Sequence, residues 1–354
     1  MRKIRKIKIG RRLIGKGEPC FIIAEAGSNH DRKLNQALRL IEVAAEAGAD
    51  AVKFQVFSAD GIVANTKERI ASLRRDKFGA YGKTLYELYK KLEMPKEWLA
   101  RLQKHARDCG IIFCATPFDE ETVDELEKVG VAFYKIASFE LVHIPLIKYV
   151  ASRGKPIIIS TGMATIPEIA EATEAVRRAG NDQYALLHCA IEYPPRMRDL
   201  NLAAMDIMYK RFKCPIGYSD HTLGITIPVA TVARGAKIIE KHYTISRKLK
   251  GPDHRFALDP VELKLMVKAI RDVEEAIGIS KKGPVPAEEI HLKRGRRSIF
   301  AACDIEPGQV ITESMTAILR PASGLAPKFL EKVIGKRAKT DIADNEPITW
   351  DKLF

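Results

Sequence analysis

PIGYSDHT (215–222) and KIIEKHYT (237–244) are two apolar, strand-like runs, each carrying a histidine at its end, His221 and His242. In a barrel of alternating strands and helices, neighbouring strand ends open into one mouth. Two neutral imidazoles placed there can share a divalent ion and leave coordination positions free for a substrate.

Working outward from this pair, six more β-branched or apolar runs precede it: FIIAEAG (21–27), AVKFQVF (51–57), IIFCATPF (111–118), FYKIAS (133–138), PIIISTG (156–162) and YALLHC (184–189). Between them, LNQALRLIEVAAEAG (34–48) and IPEIAEATEAVRRAG (166–180) place apolar residues at helical spacing and end in glycine, a common helix stop. Strands alternating with helices indicate a parallel sheet. Eight such units fit a (β/α)8 TIM barrel, and an open doubly wound sheet is the alternative. The placement of polar residues favours the barrel. Glu25, Lys53, Gln55, Thr116, Lys135, Ser138, Glu140, Ser160, His188, Ser219, His221 and His242 fall late in, or just beyond, runs from all eight units. A barrel gathers all eight ends, whereas an open sheet concentrates its ligands at one switch point.

The barrel is expected over residues 1–277, with an N-terminal hairpin. GISKKGPVPAEEI (278–290) reads as a linker, and residues 291–354 as a small, mostly β domain rich in turn residues such as Pro307-Gly308. The longest connection, 58–94, carries Lys67, Arg69, Arg74, Arg75 and Lys77, then Phe78, Tyr81, Tyr86 and Tyr89. It reads either as a lid or binding loop, or as a helical surface insertion.

The net charge is +14. Much of the excess lies in Arg2, Lys3, Arg5, Lys6, Lys8, Arg11 and Arg12, which alternate with Ile4, Ile7 and Ile9 and precede Leu13 and Ile14. This spacing suits a hairpin with one wet face better than a nucleic-acid arm, because no aromatic side chains are interleaved for base stacking. A membrane span, which needs about 18 consecutive apolar residues, and a signal peptide are both absent from the pattern, so a cytoplasmic enzyme is expected. Cys20, Cys109, Cys114, Cys189, Cys214 and Cys303 show no Cys-x-x-Cys pairing, which supports neither a zinc knuckle nor a disulfide framework.

At the mouth, Ser219, Asp220 and Glu240 flank the two histidines and can orient them. Two nitrogens without paired thiolates suit an open, mixed N/O site for Mn2+, Mg2+ or a similar ion. Lysine inside a strand is unusual because an unpaired buried ammonium is costly. Lys53 and Lys135 can therefore pair with carboxylates, bind an anion or form a Schiff base. With Ser138, Ser160, Thr116 and Ser219 nearby they form a cradle for phosphate and carboxylate, pointing to a phosphorylated acid. Glu25 and Glu140 add carboxylates that can orient hydroxyls, exchange protons or form plain ion pairs.

IAEAGSNH (23–30), GADAVKFQ (48–55), ATPFD (115–119), YKIASFE (134–140), GKPIIISTGM (154–163), ALLHC (185–189), GYSDHT (217–222), EKHYT (240–244) and GPDH (251–254) together resemble the sialic acid synthase family. The tail, with Arg320-Pro321, resembles the antifreeze-like (SAF) domain attached to those synthases. The resemblance implies condensation of phosphoenolpyruvate with an open-chain N-acylated mannosamine-type sugar, giving a nine-carbon 2-keto acid and phosphate. It implies that His221 and His242 hold the metal, Mn2+ first, with Mg2+ or Co2+ as alternatives. By the same resemblance Lys53, Thr116, Lys135, Ser138, Ser160, Tyr193 and Ser219 hold phosphoenolpyruvate. Glu25, Gln55 and Asp253 contact the sugar, and Glu25 and Glu140 are the catalytic carboxylates, Glu140 managing the water that adds. Arg320 would reach the sugar's acyl group from a partner subunit, in a domain-swapped homodimer. One departure is AIEYPPR (190–196), where Ile191 replaces an asparagine that contacts phosphate in many relatives; Arg196 or Arg198 could compensate. Two other readings stand beside this one: a class I aldolase using Lys135 or Lys53, and a non-catalytic carbohydrate-binding protein.

Overall fold

The computed structural model describes residues 5–73, 78–279 and 281–354. Arg2, Lys3 and Ile4 of the hairpin and Arg74, Arg75 and Lys77 of the long connection lie outside the described residues. The chain forms two compact units, residues 1–278 and 279–354.

In the first unit, β1 (Ile7–Ile9) and β2 (Arg12–Ile14) pair as an antiparallel hairpin. The eight expected runs follow as β3 (Phe21–Gly27), β4 (Ala51–Val56), β5 (Ile112–Pro117), β6 (Tyr134–Ile136), β7 (Ile157–Ser160), β8 (Tyr184–Cys189), β9 (Ile216–Asp220) and β10 (Ile238–His242). They form one parallel sheet in the order β5-β4-β3-β10-β9-β8-β7-β6. The two end strands, β5 and β6, are consecutive in the chain, and the Cys114 thiol on β5 lies 3.7 Å from the Phe133 carbonyl just before β6. The ring is thus a nearly closed (β/α)8 barrel.

Successive side chains of a strand face opposite sides, and burial follows that rule. Ile22, Ala24, Val52, Phe54, Ile136, Ile157, Ile159, Leu186 and Ile239 pack outward with helix residues such as Leu40, Leu102, Leu126, Ile147 and Val176. Phe21, Ile23, Ala51, Cys114, Phe133, Ile158, Leu187 and Ile238 form a separate inner cluster with Ile7, Ile9 and Ile14 of the hairpin. The hairpin therefore serves as a hydrophobic plug of the barrel interior, with Lys8 and Arg11 on its wet side. Each of its isoleucines contributes roughly 1.5–3 kcal/mol by leaving water. Leu13 is exposed rather than buried, because it pairs across from Lys8 on that same wet face.

Helix boundaries carry the expected local chemistry. Helix Ile166–Arg178 opens with a capping box between Thr165 and Glu168, and Pro260–Ile277 opens with one between Asp259 and Glu262. Helix Glu120–Val129 stops at Gly130, whose φ of 75° is the left-handed conformation that glycine adopts without strain.

The second unit contains the antiparallel pair β11 (Ser298–Ala301) and β12 (Thr316–Leu319) around a small core that includes Ile299, Ile311, Val333 and Ile348. The segment read as a linker is not wholly irregular: residues 286–288 form a 3-10 turn that runs into helix Glu289–Gly295. Among the described residues no helix is long and apolar enough to cross a membrane. Cys20, Cys114, Cys189 and Cys214 are buried free thiols, Cys109 is half-buried and Cys303 exposed.

Candidate active site

Climbing each strand two residues at a time moves from the apolar plug to a polar layer. Ile23 is followed by Glu25, Ala51 by Lys53 and Gln55, Phe133 by Lys135, Ile158 by Ser160, Leu187 by Cys189, and Ile238 by Glu240 and His242. On β9 the series is Gly217, Ser219, His221. A Cβ at Gly217 would stand 2.3 Å from the Ile238 carbonyl oxygen and 2.6 Å from a Leu187 methyl, so only glycine fits at this level.

The register then brings these side chains together: Glu25 pairs with Lys53 and with His242, and Ser219 with Glu240. Lys53 Nζ lies 2.8 Å from Glu25 Oε2 and 3.7 Å from Glu240 Oε1. It also donates to Thr116 Oγ1 at 3.1 Å. Lys135 Nζ stands 3.3 Å from Glu240 Oε1, the same oxygen that accepts from Ser219 Oγ at 3.3 Å. Gln55 Nε2 donates to Glu25 Oε1 at 3.0 Å. Burial works against each of these charges and pushes the Glu25 carboxyl up. Facing both lysines, Glu240 overcomes that penalty and is held below the usual carboxylate range, and its field and that of Glu25 hold Lys53 above the usual lysine value.

Above this floor stand the two histidines, with ring centroids 5.4 Å apart. Burial keeps both neutral, His221 at about 4 and His242 well below its ordinary value. His221 Nδ1 lies 2.9 Å from the Ala190 carbonyl, which fixes Nδ1 as the donor and leaves Nε2 as a free lone pair. His242 Nδ1 is buried without a hydrogen-bond partner and lies 3.8 Å from Asp253 Oδ2. Two neutral imidazoles with unspent lone pairs fit a borderline divalent ion whose other positions are filled by water or substrate oxygens. Among the described residues no group of three or more His, Cys, Asp or Glu is arranged to hold an ion.

The cavity over these groups has a volume of about 290 Å3. It gathers Glu25, Lys53, Gln55, Lys135, Ser138, Ser160, Tyr193, Ser219, His221, His242 and Asp253, as the sequence suggested. Ser160 Oγ is buried with no partner, and Ser138 Oγ accepts from the Gly162 amide at 3.0 Å. Asp253 keeps 22 % of its side chain open, yet its depth in the protein pushes its carboxyl up to about 6.

Other expected residues fall elsewhere. Thr116 does not line the cavity but anchors Lys53 from behind. Glu140 does not line the cavity, although its neighbour Phe139 does; burial raises its carboxyl to about 7, and its Oε2 has no partner. His188 faces away from the mouth, 2.8 Å from the Leu200 carbonyl, because it alternates with the inward Leu187 and Cys189. Arg196 is exposed and pairs with Asp199, and neither it nor Arg198 lines the cavity. Ile191 does line it, packed so closely on Gly162 that a Cβ there would lie 2.4 Å from Ile191 Cγ1. Arg320 belongs to the second unit, where its Nε donates to the Gly295 carbonyl at 2.7 Å.

Phe78 and Tyr89, already noted in the long connection, line the cavity; together with residues that sequence reasoning missed they form an apolar wall. Helix Leu85–Leu92 presents Leu85, Leu88, Tyr89 and Leu92, one helical stripe, to the cavity, and Phe57 and Phe118 complete the wall. Phe57 packs edge-on against Tyr89 at 5.3 Å and Phe118 at 5.5 Å. The long connection is thus helical in part and also a wall of the site, so its two readings are both partly right.

The fold and site define a parallel (β/α)8 barrel protein with two buried, carboxylate-paired lysines and a histidine pair at its carboxyl-end mouth. The chain belongs to the NeuB family, whose model matches residues 40–282, and it carries a SAF domain over residues 296–353. It is 39% identical to the N,N'-diacetyllegionaminic acid synthase of Legionella pneumophila over 343 residues, 96% of either chain. It is 34% identical to the human N-acetylneuraminate-9-phosphate synthase, covering 95% of this chain and 93% of that one. A crystal structure of the N-acetylneuraminic acid synthetase of Leptospira borgpetersenii, in complex with citrate, aligns with a TM-score of 0.72 at 35% identity, over 82% of this chain and 97% of the other.

Proposed function

We propose that this protein condenses phosphoenolpyruvate with an N-acylated aminosugar in its open-chain aldehyde form, giving a nine-carbon 2-keto sugar acid and phosphate. The observation that carries the reading is the floor itself: two buried lysines and a group of hydroxyls, directly below two neutral histidines.

A divalent ion, Mn2+ in first place, would be held by His221 and His242 and would supply Lewis-acid polarisation of the sugar aldehyde. The chain's own groups do the rest. Lys53 and Lys135 pair with the anionic ends of phosphoenolpyruvate, and Ser138, Ser160 and Ser219 donate to its oxygens. Glu25 and Gln55, already hydrogen-bonded to each other, orient sugar hydroxyls together with Asp253. The enol carbon bonds to the aldehyde carbon as the aldehyde C=O π bond opens to an alkoxide. Water adds to the carbon bearing the phosphate ester, one of its protons passing by way of Glu140 to the alkoxide oxygen; that carbon's bond to the phosphate oxygen then breaks, and the remaining hydroxyl proton leaves with phosphate as the ketone forms. A glutamate near 7 is suited to such an exchange at neutral pH.

The apolar wall supports an acceptor with apolar substituents, such as deoxy methyl or acyl methyl groups, because a hydroxyl buried there without a partner costs about 1–3 kcal/mol. The likeness to a diacetyllegionaminic acid synthase supports the same choice. A Schiff base at Lys53 is disfavoured: such a lysine needs a depressed pKa, whereas the carboxylates beside Lys53 raise it. We further propose a cytoplasmic, domain-swapped homodimer in which Arg320 of the partner subunit reaches the sugar's acyl group.

The test is phosphate release from phosphoenolpyruvate with a panel of N-acylated hexosamines, plain, 6-deoxy and diacylated. Turnover should require a divalent ion, be lost in His221→Ala and His242→Ala with the circular dichroism unchanged, and favour the 6-deoxy sugars. Chelator-insensitive turnover with borohydride trapping of pyruvate on a lysine would replace this reading with the aldolase.

A further inference from the structure

We infer that Glu240 is a resident anion: in the substrate-free protein its carboxylate fills the lysine bracket that the substrate's anionic group must enter, so it sets which anions the site accepts. The inference deepens the proposed function and rests on reading the floor as the anion cradle.

Glu240 Oε1 is approached by Lys135 Nζ at 3.3 Å, Lys53 Nζ at 3.7 Å and Ser219 Oγ at 3.3 Å. These three groups are the ones assigned to the incoming anion. Glu240 also lines the cavity, so it occupies the bracket from within the site. Its hold is incomplete, because Oε2 is buried without any hydrogen bond. The two lysines differ in what they would keep on its departure. Lys53 retains Glu25 at 2.8 Å and Thr116 at 3.1 Å, whereas Glu240 is the carboxylate paired with Lys135. Lys135 is therefore the cation whose availability Glu240 controls.

A ligand that brings one carboxylate only exchanges a monoanion for another already in place and pays the entropy of association besides. A phosphate dianion brings twice the charge and more acceptor oxygens, so it can outcompete the resident carboxylate. Glu240 thereby discriminates phosphoenolpyruvate from pyruvate and other monoanions, while keeping the buried lysines paired when no substrate is present.

The experiment is calorimetric titration of the full-length, chelator-treated protein with inorganic phosphate and, separately, with pyruvate, on the native chain and on Glu240→Gln. The substitution should tighten phosphate binding at least tenfold and tighten pyruvate binding by a larger factor, narrowing the preference for the dianion. Adding Lys135→Met should erase the gain. Phosphate affinity unchanged or weakened by Glu240→Gln, or a gain that survives the loss of Lys135, overturns the inference. If Glu240→Gln does not fold, a crystal structure of the native protein soaked in phosphate decides instead: a Lys135–Glu240 separation opened beyond 4 Å supports the inference, and one retained near 3.3 Å overturns it. A gain in anion affinity without phosphate release from phosphoenolpyruvate in the presence of any of the sugars would keep this inference and remove the synthase reading.

Discussion

Replacing Glu140 with glutamine should stabilise the metal-free protein, increasingly as pH rises from about 4.5 to 7 and fully above that. The Glu140 carboxyl is raised by burial from the 4.5 of a free glutamate to about 7, against the opposing pull of its own backbone amide and of Lys135. A carboxyl that binds its proton more tightly in the folded than in the unfolded chain favours folding at low pH. It penalises folding as pH rises past 4.5, and the penalty is complete above about 7. At about 1.4 kcal/mol for each tenfold change in proton affinity, the full penalty is ~3 kcal/mol. At pH 5 less than about 1 kcal/mol of it remains. Glutamine has nearly the same shape and no charge to lose. Urea denaturation at pH 8 should therefore place Glu140→Gln above the native protein by ~3 kcal/mol, and at pH 5 the two should nearly coincide. The same variant should lose most of its turnover, since the amide cannot accept the proton of the added water. An equal stability gap at both pH values, or none at pH 8, would refute the claim that a buried charge is stored at Glu140.

Two further outcomes follow from packing and from the second unit. Gly217→Ala drives a methyl to within 2.3 Å of the Ile238 carbonyl, so it should destabilise the barrel by roughly 3 kcal/mol or more, seen as a lower denaturation midpoint. Arg320→Ala should raise the apparent KM for sugar with little change in that for phosphoenolpyruvate. Mixing it with Lys53→Met should restore a fraction of the activity if the arginine acts in trans; activity no higher than the sum of the two inactive preparations would place it elsewhere.

All eight barrel strands are visible in the sequence because parallel strands buried on both faces read as continuous apolar runs. The run 133–138 shortens to Tyr134–Ile136 because Ser138 to Glu140 turn into a 3-10 segment that carries Ser138 to the cavity. The site residues were legible where alternation places them: Glu25, Lys53, Lys135, Ser160, Ser219 and both histidines all occupy inward positions. The same alternation excludes His188, which shares an outward parity with Leu186, and it marks Glu240 as inward, two residues before His242. The apolar wall was not legible. Leucines at helical spacing in Leu85–Leu92 signal a buried face, but which surface buries it is decided by how the connection folds back over the mouth.

The outward residues beside the two histidines explain how the imidazoles at the mouth are held in place. Asp220 and Lys241 flank His221 and His242, so alternation turns them away from the cavity, where they form a buried ion pair between β9 and β10. Asp220 Oδ1 accepts from the Thr222 amide at 3.1 Å and Oδ2 from the Thr222 hydroxyl at 2.9 Å, while Lys241 also donates to the Thr222 carbonyl. These bonds close the turn that contains His221 onto the strand that contains His242. A buried ion pair offers little net stability over well-packed apolar side chains, but breaking it by removing one partner costs about 3–5 kcal/mol. That asymmetry suits a positioning role: the pair adds little to the fold and resists any change in the spacing of the two imidazoles.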